Sequence, residues 1–196
     1  MTGPGDLEYW LDAADPRRIP ARLIEKYAMR GPRYTSYPTA PQFGPIDLAD
    51  LHARWRARNG IDPDPGLSIY VHIPFCRSLC AFCGCHTHVR KDPASESSYV
   101  DDLLEEMDLA LGVVDRSRPV RQAALGGGTP NFLADRDLDR LLAGIRSRFD
   151  VGPDAELSAE LDPRTVTMGQ LDLLLSHGWN RLSLGVQDFD PAVMRN

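Results

Sequence analysis

Four cysteines occur in the chain, Cys76, Cys80, Cys83 and Cys85, and all lie within ten residues. A disulfide scaffold spreads its cysteines so that bridges join distant segments, whereas a cluster on one loop staples nothing. Thiols gathered this way bind a metal or do redox chemistry. Cys76-x3-Cys80-x2-Cys83 puts three thiolates on one loop, and soft thiolates suit zinc or an iron–sulfur cluster. Structural zinc usually draws on two ligand pairs a dozen or more residues apart. No second cysteine pair exists here, but His72, His86 and His88 keep a Cys/His zinc site open. A [4Fe–4S] cubane is the other solution: three cysteines hold three irons, and the fourth iron is left for a ligand that is not protein.

Two further groups have chemical potential. Gly126-Gly127-Gly128-Thr129-Pro130 offers bare backbone that a ligand can approach without a Cβ in the way, although an ordinary tight turn reads the same. Glu160 could accept from a hydroxyl or an ammonium group, and a lone solvated Glu is its plainer reading. Tyr70 and Phe82 could face a site or fill a core. His72, two residues from Tyr70, shares its strand face, lining the site or hydrogen-bonded in the core.

The elements that must position these groups are regular from Leu67 onward. Leu67–Ile73, Val120–Leu125, Ala155–Leu161 and Arg181–Val186 read as strands. Between them Tyr99–Leu111, Asp135–Phe149 and Thr165–His177 carry apolar residues at helical spacing. The third helix shows a capping box, Thr167-x-x-Gln170, and stops at Gly178. Strand–helix alternation with short connections predicts adjacent parallel strands and right-handed crossovers. In such sheets functional groups gather at the C-terminal strand ends. There stand the cysteines after strand one, the glycines after strand two, Glu160 near the end of strand three and Gln187 after strand four. Four strands and three helices do not close a barrel. The expected fold class is therefore α/β, a partial parallel (β/α) barrel truncated after its fourth strand, over residues 67–196. Residues 1–66 form an irregular extension with helical candidates at Leu7–Leu11, Pro20–Met29 and Asp47–Arg58.

Composition excludes several classes. With 42 % hydrophobic and 26 % charged residues, disorder and coiled coil do not fit. A net charge of -6 is no footprint for nucleic-acid binding, despite the local cluster Arg54, Arg56 and Arg58. No run approaches the ~18 apolar residues of a membrane helix, and the first ten residues lack the cationic start and apolar run of a signal peptide. A cytoplasmic protein is expected.

Six segments occur in order: Gly31-Pro-Arg-Tyr-Thr-Ser-Tyr-Pro-Thr39, Tyr70-Val-His-Ile-Pro-Phe-Cys76, Cys83-Gly-Cys85, Gly126-Gly-Gly-Thr-Pro130, Glu160-Leu-Asp-Pro-Arg164 and Leu184-Gly-Val-Gln-Asp-Phe189. On these the chain resembles the radical S-adenosylmethionine (SAM) superfamily and, within it, the oxygen-independent coproporphyrinogen III oxidases. The resemblance implies a radical-SAM barrel, a [4Fe–4S] cluster on Cys76, Cys80 and Cys83, and SAM contacts from Tyr70, Phe82, Gly127, Gly128, Thr129, Glu160 and Gln187. Cys85 matches a family cysteine that is not a cluster ligand. The implied reaction is the SAM-dependent oxidative decarboxylation of coproporphyrinogen III to protoporphyrinogen IX in haem biosynthesis. The implied electron donor is flavodoxin- or ferredoxin-like, and the protein a monomer without membrane or nucleic-acid partner. The related alternative is a haem chaperone or haem-degrading protein; Cys85 and the Gly31–Thr39 segment, expected to lie over the active site, argue against it. Ala81, Leu125 and His86 depart from the family's usual residues at their positions.

Overall fold

The computed structural model describes residues 21–28, 38–81 and 83–192. The chain divides into two compact units, residues 1–45 and 46–196. In the first, helix α1 (Ala21–Tyr27) occupies the middle of the stretch that the apolar spacing marks as helical. A single 3-10 turn follows at Ala40–Gln42. The candidate helix Leu7–Leu11 and residues 31–37 of the first motif lie outside the described residues.

The second unit opens with α2 (Leu48–Arg56), where the Asp47 carboxylate accepts from the backbone N–H of Ala49 and Asp50 and so caps the helix. Then β1 (Leu67–Ile73), β2 (Phe75–Cys76) and β3 (His88–Val89) precede α3 (Ser97–Leu111). The chain continues through β4 (Pro119–Gly127), α4 (Asp135–Arg148), β5 (Asp150–Leu161), α5 (Met168–Ser176) and β6 (Arg181–Leu184). The four long strands form one sheet in the order β1-β4-β5-β6, every pair parallel, as strand–helix alternation demands. The sheet remains open, and β6 is exposed along its length.

Strand parity sorts the side chains. Val71 and Ile73 of β1, Ala123 and Leu125 of β4, and Ala155, Leu157, Ala159 and Leu161 of β5 are buried. They form one core with Val100, Leu103 and Met107 of α3, Leu138, Leu141, Leu142 and Ile145 of α4, and Leu174 of α5. Residues of opposite parity (Tyr70, His72, Ala124, Gly126, Ser158, Glu160) project from the other face. β5 begins five residues earlier than its apolar alternation predicts, at Asp150 rather than Ala155. Pro119 and Val120 of β4 pair with Asp150 and Val151 there, and the register then shifts. The capping box forms as expected: Gln170 N–H donates to Thr167 Oγ1 and Thr167 N–H to Gln170 Oε1, both at 3.2 Å. Gly178 ends the helix at φ +82°. Among the described residues no helix is long and apolar enough to cross a membrane.

Candidate functional site

The loop after β1 is cinched at its base. Phe75 and Cys76 pair with His88 and Val89 as a two-residue parallel ladder. His88 N–H donates to the Pro74 carbonyl at 2.6 Å and Arg90 N–H to the Cys76 carbonyl at 2.9 Å. All four cysteines lie within this closed loop and none is disulfide-bonded. Phe75 anchors the base by burying its ring edge-on against Tyr99 at 5.1 Å. The Tyr99 phenol donates to the His72 carbonyl at 2.8 Å. Such a short ladder carries no periodicity, so sequence reasoning missed it.

The loop lies against the end of β4. Gly128 N–H donates to the Ile73 carbonyl at 2.8 Å. A Cβ on Gly128 would stand 2.8 Å from the Phe75 carbonyl oxygen, 2.9 Å from the Pro74 carbonyl carbon and 3.0 Å from Cys76 Sγ. Gly127 has φ +107°, and a Cβ there would meet the His72 ring at 2.7 Å. At Gly126 it would meet Tyr70 Cε2 at 3.0 Å, and Glu160 Oε2 and the Tyr70 hydroxyl at 3.1 Å each. Each glycine thus makes room for a different neighbour: Tyr70 with Glu160, then His72, then the base of the cysteine loop. Register explains the meeting. His72 is paired with Gly126, Leu125 with Ala159, and Glu160 with Ser183. His72, Gly126 and Glu160 therefore form one row across three strands.

The expected site residues fall into three groups. Tyr70, Gly127, Gly128, Thr129, Glu160 and Cys76 come together at the strand ends, Thr129 through its hydroxyl 3.3 Å from Cys76 Sγ. Cys80 and Cys83 stand farther along the same loop, where Cys83 N–H donates to the Cys80 carbonyl at 3.1 Å. Gln187 follows β6 in the left-handed region at φ 68°, its amide folded over Gly185. Phe82 lies outside the described residues. Gly126, which shapes the space between Tyr70 and Glu160, and His72, bonded to both Tyr70 and the cysteine loop, join the site without having been singled out as contacts.

Burial acts on two of the loop thiols. Burial pushes the Cys76 thiol up; the Thr129 hydroxyl opposes this, and Cys83, Cys80 and Asp162 add to it. The Cys85 thiol is likewise raised, first by burial and then by Cys83. Burial also raises the Tyr70 phenol, with Glu160 contributing. Among the described residues no group of three or more His, Cys, Asp or Glu side chains is arranged to hold a single metal ion. Three thiols on one short closed loop, with Cys76 against a backbone cradle made of glycines, fit a cubane with room for a ligand beside it.

A parallel (β/α) sheet with a three-thiol loop after its first strand and a glycine cradle after the next defines a protein that binds an iron–sulfur cluster beside a small ligand. Residues 70–196 match the radical SAM superfamily. The chain belongs to that superfamily, whose cofactors are SAM and a [4Fe–4S] cluster. It is 42 % identical over 166 residues to the oxygen-independent coproporphyrinogen III oxidase of Bradyrhizobium diazoefficiens, covering 85 % of this chain and 36 % of that protein. It is 44 % identical over 175 residues to the enzyme of the same name from Salmonella typhimurium, covering 88 % and 37 %. The solved structure of coproporphyrinogen III oxidase from Escherichia coli, described as a radical SAM enzyme, superposes with a TM-score of 0.75 at 39 % identity, covering 89 % of this chain and 38 % of that one. The chain therefore spans a little over a third of the length of these relatives.

Proposed function

We propose that this chain supplies the cluster- and SAM-binding part of an oxygen-independent coproporphyrinogen III oxidase. In that reaction each of two propionate side chains loses CO2 together with one hydrogen atom and one electron, leaving a vinyl group. The observation that carries the reading is the packing of Tyr70 with Glu160, His72 and Cys76 onto three consecutive glycines, in a chain 44 % identical to a relative of that name.

Bound together, the cluster and SAM supply the one-electron chemistry that removes a hydrogen atom from the substrate. The chain's own residues hold and orient. Cys76, Cys80 and Cys83 would bind three irons. Gly126, Gly127 and Gly128 present backbone along which SAM can lie, and Thr129 and Gln187 would contact it; Phe82 is a contact on the family resemblance alone. Glu160 accepts from the SAM ammonium or a ribose hydroxyl, and Tyr70 donates or accepts beside it. A flavodoxin- or ferredoxin-like donor, a monomeric state and a cytoplasmic location complete the reading.

The test is anaerobic reconstitution with iron and sulfide. The protein is expected to bind a [4Fe–4S] cluster, which Cys→Ser at Cys76, Cys80 or Cys83 abolishes and Cys85→Ser does not. A version as long as the relatives should release 5′-deoxyadenosine with SAM and dithionite, and CO2 and the vinyl product with coproporphyrinogen III; this chain alone is expected to lack the full reaction. Deoxyadenosine without vinyl product favours the haem-handling relatives. A colourless protein holding zinc overturns the reading.

A further inference from the structure

The βα loop after β5 reaches the cysteine loop at Cys80. Asp162 and Arg164 form a bidentate pair: Arg164 Nε donates to Asp162 Oδ1 at 2.9 Å and Oδ2 at 3.2 Å, and Nη2 donates to Oδ2 at 2.8 Å. The Arg164 backbone N–H also donates to Asp162 Oδ1 at 2.9 Å. From this fork Nη2 points on to Cys80 Sγ, 3.9 Å away. The fork is itself held from beneath. Asn131, only 2 % exposed, accepts from Asp162 N–H at 2.9 Å and donates to the Asp162 carbonyl at 3.4 Å and to Thr165 Oγ1 at 2.9 Å. The Asn131 carbonyl in turn accepts from buried Gln170 at 3.2 Å. A chain of hydrogen bonds, passing through the backbone of Asn131 and Asp162, thus runs from the cap of α5 through the loop after β4 to one sulfur of the three.

We propose that Arg164 is a positioning residue for the iron–sulfur cluster, its forked guanidinium placing a fixed positive charge and an N–H donor against the Cys80 sulfur. The inference rests on the assignment of Cys76, Cys80 and Cys83 as ligands. Hydrogen bonds to the sulfurs and nearby charge set the potential of such clusters. A cluster on three thiolates gains negative charge on reduction, so a cation at its sulfur stabilises the reduced form. The Asp162 fork fixes the planar guanidinium in one orientation; without it an exposed arginine would sample many rotamers.

The experiment is an anaerobic redox titration of the reconstituted chain, followed by the electron paramagnetic resonance of its reduced cluster, for the wild type, Arg164→Gln and Arg164→Lys. Iron and sulfide content is measured on every sample, so a wild type without a cluster defeats the ligand assignment, a separate result from any concerning Arg164. Arg164→Gln is expected to keep its iron and shift its midpoint to a more negative potential, with Arg164→Lys recovering most of the shift. If Arg164→Gln takes up no iron while Arg164→Lys does, the charge acts at assembly and the proposal stands. A loaded Arg164→Gln with an unchanged or more positive midpoint overturns it. So does equal loss of iron in both variants with an unchanged far-ultraviolet circular dichroism spectrum.

Discussion

The Tyr70 hydroxyl lies 3.1 Å from His72 Nδ1, and the Nε2 of the same ring lies 3.0 Å from the His86 carbonyl oxygen. A carbonyl only accepts, so Nε2 carries a proton and donates to it, while Nδ1 and the phenol share the second bond. The imidazole therefore links the backbone of the cysteine loop to Tyr70 and aims the phenol across Gly126 toward Glu160.

His72→Phe keeps a ring over Gly127 and removes both bonds. Each contributes about 0.5–1.5 kcal/mol, so SAM is expected to bind roughly tenfold more weakly, with iron content unchanged. Equilibrium dialysis of labelled SAM against the reconstituted protein measures this. Unaltered SAM affinity shows that the imidazole does not orient Tyr70.

The glycines should separate stability from binding. Gly128→Ala drives its methyl into the backbone of Pro74 and Phe75, which has no rotamer to yield, and is expected to cost about 3 kcal/mol. Gly126→Ala meets only the side chains of Tyr70 and Glu160. These swing away at a cost within about 1 kcal/mol, but the space between them is lost, and SAM affinity should fall at least as far as in His72→Phe. Urea denaturation and SAM binding on both variants check the contrast; equal destabilisation by the two contradicts it.

Much of this site was legible because strand parity is simple. Val71 and Ile73 alternate with Tyr70 and His72, so Tyr70 and His72 had to share a strand face, and the parallel order followed from the intervening helices. The clustered cysteines signalled their loop without further help. What escaped were bonds that leave no periodic trace. Asn131 follows Pro130 in what reads as a plain turn, yet its amide joins residues more than thirty positions away. Gln170 was legible as half of a capping box, but the same amide also donates to the Asn131 and Leu133 carbonyls. Gly126 looked like its neighbours; only the register that aligns it with Glu160 gives it a separate task.

Asn131→Ala should be among the most damaging polar substitutions. It strands the Asp162 N–H and the Thr165 hydroxyl in a buried place, and each orphaned group costs about 1–3 kcal/mol. A loss of roughly 3 kcal/mol is expected in urea unfolding. Asn131→Asp keeps the acceptor for Asp162 N–H but loses the donor and should fall between alanine and wild type. An alanine variant as stable as the parent shows that water replaces the amide.

Acid should weaken the start of the sheet through Asp64. Arg118 is buried and forks onto that carboxylate, with Nε at 3.2 and 3.1 Å from its two oxygens and Nη2 at 2.9 Å. Nη2 also donates to the Gly66 carbonyl at 3.1 Å, so the pair ties the segment before β1 to the residue that leads into β4. The Arg118 guanidinium, followed by the Gly66 N–H, holds Asp64 below its ordinary value of 3.8. The folded state thus favours the ionised form. Its stabilising effect is complete above the ordinary value and drains away as pH falls through the lowered one. Asp64→Asn removes this dependence and leaves Arg118 poorly paired at every pH. The variant should be less stable than the parent by a constant amount at neutral and mildly acid pH, and the gap should narrow once pH drops below about 4. Urea midpoints of both proteins across that range measure the gap. Because the other carboxylates titrate alike in the two chains, a gap that stays constant down to the acid limit means that Asp64 is not the group Arg118 depends on.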